Sequence, residues 1–216
     1  MTDNAKFNPA SLGTEFGDID IYVFDQLLRG RIAPGRRVFD AGCGGGRNLV
    51  YLLRQGFDVF GNDLNPDAVA TVRALAPESD FRVEAIEDTS FAEASADVVI
   101  ASAVLHFARD AAHFEAMLRS LWRVLKPGGV FFARLASTIG IEGQLQAEPA
   151  SPKLAPPTRV SGGGRYRLPD GSDCYLVDAD TILEWTARLG GELLDPIKTT
   201  VVHDQRSMTT WVARRR

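Results

Sequence analysis

A glycine-rich turn with one acidic residue is the part of this sequence best suited to hold a ligand. It spans 38–48, and its central positions are Asp40, Gly42, Cys43, Gly44 and Gly46. Glycine after a strand lets the backbone approach a ligand unusually closely, because no side chain stands between the two. The turn therefore predicts a small-molecule site at the end of a strand.

Asp63 is a second candidate, about twenty residues further along the chain. It follows the apolar run 58–62, and a carboxylate at that place can accept hydrogen bonds from both hydroxyls of a ribose. The turn and Asp63 together predict a ligand with a nucleoside part. The alternatives are a loop acid without a ligand and a glycine-rich connection that binds nothing.

Two common nucleotide sites match the turn poorly. A dinucleotide-binding turn has glycine at its third conserved position, so that the next helix can pack on the strand, but Arg47 stands there. A phosphate-binding P-loop ends in Gly-Lys-Ser or Gly-Lys-Thr, and no lysine occurs between Lys6 and Lys126. The sequence therefore disfavours a nicotinamide cofactor, and it disfavours a nucleoside triphosphate more strongly.

His106 is the candidate general base. It follows a predicted strand at the end where open α/β sheets bind ligands, although a structural histidine bonded to a loop carbonyl would fit there equally well. Arg134 interrupts an apolar run, so it either pairs inside the site or points outward at the end of the sheet. His113 and His203 are expected on the surface.

Candidate contacts to a second substrate come from several parts of the chain and are Tyr22, His106, Arg134, Arg165, Tyr166 and Arg167. Arg165 and Arg167 flank Tyr166 as alternate residues of a strand do. If both arginines face the pocket, the substrate is anionic. On a solvated face they have no such role.

The elements that must position these residues alternate between strand-like and helix-like from 36 to 136, which is typical of a parallel sheet covered on both faces. Predicted strands are 37–41, 58–62, 81–85, 97–102, 129–136, 197–203 and 208–213. Predicted helices are 23–28, 47–55, 67–75, 111–125 and one that starts at Asp178 or Asp180 and ends at 189, after a hairpin over 165–176. The fold class is α/β, with a doubly wound, seven-stranded, mostly parallel sheet and a C-terminal antiparallel hairpin.

Composition and charge exclude several classes of protein. A net charge of −4, with no run of like charges except the arginines at 214–216, disfavours nucleic acid as a partner. Two cysteines and three histidines without ligand spacing suit neither a disulfide framework nor a metal site. No window approaches the ~20 apolar residues that span a bilayer, and the first residues lack the apolar part of a secretion signal. We expect a soluble cytoplasmic protein with no membrane partner, as a monomer or homodimer.

The pattern Asp-x-Gly-x-Gly-x-Gly at 40–46 resembles the first motif of class I S-adenosylmethionine-dependent methyltransferases. The segments 97–106 and 124–129 are similar to the family's fourth strand and to its entry into strand five, so the resemblance covers 36–136. The continuation Gly46-Arg47-Asn48 looks most like the tellurite-resistance type of small-molecule methyltransferase. The resemblance implies a Rossmann-like methyltransferase fold and S-adenosylmethionine as cofactor, with S-adenosylhomocysteine as product.

The resemblance also implies which residues hold the cofactor. Asp63 would bind the ribose, and Leu64 would pack on the adenine. Many family members have an acidic residue after the third strand that takes the adenine amino group, but Ala85 stands there, so Ile86 backbone or Glu87 is expected to replace it. The full set of expected cofactor contacts is Asp40, Gly42, Cys43, Gly44, Gly46, Asn48, Asp63, Leu64, Ile86, Glu87 and Ser102.

The expected organisation is one methyltransferase domain over 1–216, made of an N-terminal cap (1–35), a cofactor-binding core (36–136), a lid or substrate-covering insertion (137–178), and a C-terminal helix and hairpin (179–216). The expected activity is in-line methyl transfer to a small-molecule acceptor. One alternative is a protein of the same fold that binds S-adenosylmethionine or a nucleoside without turnover. The other is a nicotinamide-dependent oxidoreductase.

Overall fold

A computed structural model of the protein describes residues 9–147 and 163–216. Its strands are β1 (Arg37–Ala41), β2 (Asp58–Asp63), β3 (Phe81–Val83), β4 (Ala96–Ser102), β5 (Leu125–Ala136), β6 (Gln146–Ala147), β7 (Gly164–Arg167), β8 (Asp173–Leu176), β9 (Gly191–Leu193), β10 (Lys198–Val202) and β11 (Arg206–Arg215). Its helices are α1 (Pro9–Phe16), α2 (Ile21–Leu28), α3 (Val50–Arg54), α4 (Pro66–Leu75), α5 (Ala111–Val124) and α6 (Ala179–Arg188). Short 3-10 turns cover Leu105–Phe107 and Glu142–Gln144.

The main sheet has the strand order β10-β11-β5-β4-β1-β2-β3. Strands β1 to β5 pair in parallel, whereas β11 pairs antiparallel with β5 and β10 pairs antiparallel with β11. This path of seven strands confirms the predicted fold class, and the short β9 adds an unpredicted strand on β11. From β1 the chain continues through β2 and β3 to one edge of the sheet, and from β4 it continues through β5 towards the other edge. The strand order thus reverses between β1 and β4, and the crevice at the carboxyl ends of two such strands is where open α/β sheets bind ligands.

Apolar side chains on both faces explain why the central strands are buried. Phe39 and Phe131 belong to a core cluster that includes the buried face of α5, while Val38 and Phe132 belong to a second cluster with α3 and α4. Neighbouring residues of one strand therefore enter opposite cores, as the pleat requires. Strands buried on both faces need apolar residues at nearly every position, and the runs in the sequence have this character.

Acidic side chains fix the first turns of two helices. The Asp110 carboxylate accepts a hydrogen bond from the backbone N–H of His113 at 2.7 Å, at the start of α5. The Asp178 carboxylate accepts one from Thr181 at 2.7 Å, at the start of α6. Asp178 rather than Asp180 therefore caps α6, which decides between the two predicted caps.

The helix predicted over 47–55 is shorter than expected, because α3 covers only Val50–Arg54. Gly46 has a φ of +86° and donates its N–H to the Cys43 carbonyl at 2.9 Å, while Leu49 donates to the Gly46 carbonyl at 2.8 Å. The chain thus makes two consecutive turns before the helix starts. This delayed start differs from a dinucleotide-binding turn, which leads directly into its helix.

Strand β3 ends at Val83, two residues before the predicted end. One further backbone bond to β2 follows, from the N–H of Glu84 to the carbonyl of Asp63 at 3.2 Å. In the loop after it, the Glu84 carboxylate accepts a hydrogen bond from the backbone N–H of Ser90 at 2.9 Å.

Strands β6, β7 and β8 form a second, antiparallel sheet beside the first. The predicted hairpin over 165–176 is confirmed, and its Leu168 and Leu176 pack with Ile141. Residues 148–162 of the predicted insertion lie outside the described residues, so its function as a lid stays a prediction. None of the helices described here is long and apolar enough to cross a membrane.

Candidate active site

A cavity of about 350 Å³ lies at the carboxyl ends of the central strands. It is lined by Gly42, Asp63, Leu64, Glu84, Ile86, Glu87, Ala103, Val104, Phe107, Arg109, His113 and Met117. Its volume lies in the range of about 300–1,000 Å³ that is usual for small-molecule sites, and open α/β sheets bind ligands at this place. Four predicted cofactor contacts besides Gly42 line it, namely Asp63, Leu64, Ile86 and Glu87.

The glycine-rich turn forms one wall of the cavity. Gly42 has a φ of +67°, and a Cβ there would lie 2.6 Å from a methyl of Val104. The backbone N–H groups of Gly42 and Cys43 both donate to the carbonyl of Asn62, at 2.9 and 3.0 Å. The turn is thus fastened to β2, and only glycine fits at position 42. Cys43 is buried, and burial raises the pKa of its thiol, so it stays protonated.

Both carboxylate oxygens of Asp63 are oriented by backbone groups. Oδ2 accepts a hydrogen bond from the N–H of Gly44 at 2.9 Å, and Oδ1 accepts one from the N–H of Asn65 at 2.9 Å. The first bond ties the end of β2 to the glycine-rich turn. A carboxylate retains further lone pairs for a ligand after two such bonds, so Asp63 can still act as the predicted ribose acceptor.

Two large apolar side chains remain exposed at the cavity. Leu64 is 71% exposed and Phe107 is 64% exposed, although each lines the same cavity. Exposed apolar groups at a concave site are typical of a surface that contacts a ligand. The sequence predicted Leu64 as such a contact but not Phe107, because the short turn Leu105–Phe107 has no motif of its own.

Asp40 is the acidic residue of the glycine-rich turn, and the pKa of its carboxyl is strongly raised. Burial raises the pKa of its carboxyl to about 7, Arg47 opposes the shift, and Asp63 adds to it. Its Oδ2 is buried and has no hydrogen-bond partner among the described residues. An ionised carboxylate in this setting would be stabilised by a positively charged ligand group.

Asp20 joins the N-terminal segment to the carboxyl-terminal parts of β4 and β5. Its Oδ2 accepts hydrogen bonds from Arg134 at 3.0 Å and from Ser102 at 3.3 Å, and its backbone N–H donates to Asn48 at 3.0 Å. Asn48 and Ser102 are predicted cofactor contacts, and the structure turns both side chains towards Asp20. Sequence reasoning missed Asp20 as a site residue, although an aspartate directly before a helix signals a cap.

Arg134 is paired with a buried carboxylate and does not point outward at the end of the sheet. Its guanidinium pairs with Asp20 and lies 5.2 Å from the centre of the Tyr22 ring. The Tyr22 hydroxyl is hydrogen-bonded to Thr200 at 2.6 Å. The Nε of Arg134 is buried without a hydrogen-bond partner in the described parts of the chain. Two predicted substrate contacts, Tyr22 and Arg134, therefore lie together beside the crevice.

His106 is buried, with 9% of its surface exposed. Burial first, and then the positive charges of Arg134 and Arg206, lower the pKa of its imidazole to about 4. Its Nδ1 is buried and has no hydrogen-bond partner among the residues described. The imidazole is therefore neutral at physiological pH and can accept a hydrogen bond.

The three hairpin residues predicted to contact the substrate have different surroundings. Arg165 donates to the carbonyl of Ala108 at 3.4 Å, next to the turn that carries His106. Tyr166 packs against the small apolar cluster of the second sheet. Arg167 pairs with Asp173 at 2.8 Å, and its side chain is 59% exposed. Of the three, Arg165 reaches towards the site.

His113 is not on the surface, so this prediction is wrong. Its side chain is only 10% exposed, and it lines the cavity because the first turn of α5 faces the carboxyl ends of the strands. Its Nε2 lies 2.8 Å from Glu87 Oε1, and Arg109 lies 3.6 Å from the same oxygen. His203, in contrast, is exposed, as predicted, in the turn between β10 and β11.

Comparisons with known proteins agree with this geometry. Residues 39–133 match the family model described as a methyltransferase domain. An uncharacterized methyltransferase of Synechocystis sp. is 37% identical over 100 residues, which are 46% of this chain and 47% of the relative. The segment 39–133 is therefore similar to a methyltransferase domain, in agreement with the resemblance that the glycine-rich turn carries.

Two further proteins resemble the chain over different extents. A ubiquinone biosynthesis O-methyltransferase of Xanthomonas campestris is 36% identical over 113 residues, covering 50% of this chain and 46% of that protein. A Burkholderia thailandensis 1,6-didemethyltoxoflavin-N1-methyltransferase, solved with 1,6-didemethyltoxoflavin and S-adenosylhomocysteine, has a TM-score of 0.66 at 17% identity, over 95% of this chain and 81% of that one. The chain thus spans about half the length of the curated relatives it matches, while the fold is shared over most of the chain.

The residues around the cavity fit S-adenosylmethionine, the cofactor that the resemblance to methyltransferases implies. Asp63 presents a fixed carboxylate to a ribose, and Leu64 and Phe107 offer apolar surface to a planar ring. The orphaned Oδ2 of Asp40 suits the positive charge of a methionine part. The individual contacts remain predictions.

Asp40→Asn is expected to stabilise the unliganded protein and to weaken its cofactor binding. An acid with a raised pKa in the folded state destabilises the protein once it ionises, so stability falls as pH rises from about 4 to 7. Removing the charge should add on the order of 4 kcal/mol at pH 8 and weaken S-adenosylmethionine binding about tenfold. Urea unfolding and calorimetric titration measure the two effects. A variant that is less stable than wild type at pH 8 contradicts this account.

His106→Gln is expected to remove part of the acid sensitivity of the domain. A histidine with a lowered pKa in the folded state costs stability as pH falls, because the unfolded chain binds the proton first. Between pH 7 and 5 wild type should therefore lose about 2 kcal/mol relative to the variant. Urea unfolding of both proteins at the two pH values gives this difference, and His203→Gln is the exposed control. Equal pH dependence of wild type and His106→Gln would show that His106 is not buried as a neutral group.

Proposed function

We propose that this chain is an S-adenosylmethionine-dependent methyltransferase that methylates a small-molecule acceptor. The observation that carries the proposal is the cavity at the crevice between β1 and β4, where Asp63 is fixed against Gly44 beside the exposed Leu64 and Phe107. Two of the three similar proteins named above, a ubiquinone biosynthesis O-methyltransferase and a 1,6-didemethyltoxoflavin-N1-methyltransferase, support a small acceptor.

The acceptor site that we propose adjoins the cofactor cavity on the side of β4 and β5. His106, Arg134 and Tyr22 come from three separate elements and lie near these strand ends. His106 Nδ1 and Arg134 Nε are buried polar atoms without partners among the described residues. Buried polar groups are rarely left unsatisfied, so a ligand that supplies their partners is favoured here.

When bound, S-adenosylmethionine supplies a methyl group on a sulfonium, which the acceptor attacks in line. The chain's own contribution is positioning. Asp63 and the glycine-rich turn hold one reactant, and Arg134 and Tyr22 orient the other. His106, whose pKa is about 4, is too weak a base to deprotonate an alcohol efficiently at neutral pH. It can instead accept a hydrogen bond from an acceptor that loses its proton readily, such as a thiol or a phenol.

Transfer of a labelled methyl group tests the proposal. Purified protein is incubated with methyl-labelled S-adenosylmethionine and either the low-mass or the macromolecular fraction of a cell extract, and then with thiols, phenols and metalloid anions. We expect label in low-mass products, and none with Asp63→Ala. Label confined to protein or RNA would contradict a small-molecule acceptor. Binding of the cofactor without any transfer to either fraction would favour a non-catalytic protein.

A further inference from the structure

The adenine end of the cavity lacks the acidic residue that many class I methyltransferases have after the third strand. Ala85 stands at that position, and its side chain has no hydrogen-bonding group. The carbonyl of Ala85 is already occupied, because it accepts hydrogen bonds from the side-chain amide of Asn62 at 3.2 Å and from the backbone N–H of Asp88 at 3.4 Å, which use both lone pairs of its oxygen. Another group must therefore bind the exocyclic amino group of an adenine in this cavity.

His113 presents a buried donor to the cavity. The backbone N–H of Arg109 donates to His113 Nδ1 at 3.0 Å, so in the neutral ring the proton is on Nε2. This Nε2 is buried without a hydrogen-bond partner in the described ranges, and the side chain is nine-tenths buried. Glu87 Oε1 lies 2.8 Å away, so the imidazole and the carboxylate form a close pair, although the N–H is not aligned with that oxygen. A ligand beside this pair can accept a hydrogen bond from the N–H.

Glu87 presents an acceptor next to that donor. Its side chain is 17% exposed and lines the same cavity. Burial opposes its ionisation, but its own backbone N–H and the neighbouring His113 and Arg109 outweigh burial and hold the pKa of the carboxyl below its usual value. The carboxylate is therefore ionised and can only accept hydrogen bonds.

We propose that Glu87 and His113 together select adenine in the cofactor, an inference that rests on the proposed function. Glu87 accepts a hydrogen bond from the exocyclic amino group, and His113 Nε2 donates one to the adjacent ring nitrogen. An amino group next to a ring nitrogen is a donor beside an acceptor, and Glu87 beside His113 is the complement. Leu64 and Phe107 supply the apolar walls that hold the ring in this plane.

Hypoxanthine tests this pairing because it reverses both groups. Its carbonyl oxygen would face the Glu87 carboxylate, and its ring N–H would face the His113 donor. Sites built to hydrogen-bond a polar group reject analogues that leave their own buried groups unpaired. We therefore expect wild type to bind S-adenosylhomocysteine about 100-fold more tightly than S-inosylhomocysteine.

Calorimetric titration of both ligands into two variants locates the effect. In Glu87→Gln the amide can donate to a carbonyl, so the preference for the adenosyl ligand should fall below about tenfold. His113→Leu should reduce the preference similarly and keeps the backbone N–H that Asp110 caps. Glu115→Gln, on the exposed face of the same helix and paired with Arg119, is the matched control and should keep the wild-type preference.

The outcomes separate this inference from the function on which it rests. Equal binding of the two ligands by wild type overturns the inference, as does a preference that both variants retain. Weakening of both ligands by the same factor would indicate a structural role for Glu87 or His113 and would also overturn it. Absence of S-adenosylhomocysteine binding by folded wild type would instead contradict the proposed function.

Discussion

Asp63→Ala is expected to weaken S-adenosylmethionine binding at least about 100-fold while the protein stays folded. The substitution removes two hydrogen bonds that a ribose could make to a charged oxygen, each worth about 1.5–3 kcal/mol. It also removes the bond from Gly44 that fastens the glycine-rich turn to the end of β2. Since Asp63 lies at the end of its strand and is only partly buried, the core should be unaffected.

Calorimetric titration measures this loss, and Asp58→Ala is its matched control. Asp58 begins the same strand, has the same charge, and is 65% exposed in a pair with Arg37. Exposed ion pairs contribute at most about 1 kcal/mol to stability, so this variant should bind like wild type. If Asp63→Ala binds within threefold of wild type, Asp63 is not the ribose ligand.

Asp20→Ala is expected to reduce the free energy of unfolding by about 3–5 kcal/mol. The Asp20 side chain is 2% exposed and pairs with Arg134, which is itself only 23% exposed. Removing the carboxylate leaves a poorly solvated positive charge, and it also removes the cap of α2. The N-terminal segment would then separate from the strand ends, so cofactor affinity should fall as well.

A double-mutant cycle with Arg134→Met distinguishes the ion pair from the cap. If the pair dominates, the double variant should be more stable than the sum of the single losses predicts, by 1 kcal/mol or more. Asp18→Ala, an exposed change in the same segment, should have no measurable effect. Strict additivity in urea unfolding would contradict a coupled pair of Asp20 and Arg134.

The parts of the site that the sequence predicted are those determined by neighbouring residues. The glycine-rich turn needs positive φ at Gly42, Gly44 and Gly46, and glycine is the residue that adopts this conformation readily. Asp63 was also predicted from its neighbours in the sequence, because it follows an apolar run whose end marks the end of a buried strand. The mostly parallel sheet was predicted because alternating strands and helices favour it.

The parts that the sequence did not predict depend on contacts between distant residues. The partner of Arg134 is Asp20, 114 positions away, and only the folded sheet brings the two together. His113 was expected on the surface because its place on α5 depends on how the helix rotates against the sheet. His113 lies in the cavity wall beside Glu87, in the first turn of α5 that Asp110 caps. A pattern of apolar residues does not reveal this position.

Titration of the purified protein with S-adenosylmethionine, S-adenosylhomocysteine and NAD tests the central claim most directly. We predict that both adenosyl ligands bind at micromolar or lower concentration, that NAD does not bind, and that Asp63→Ala loses the adenosyl binding. Binding of NAD in preference to the adenosyl ligands, or no binding of either adenosyl ligand by the folded protein, would contradict the proposed methyltransferase function.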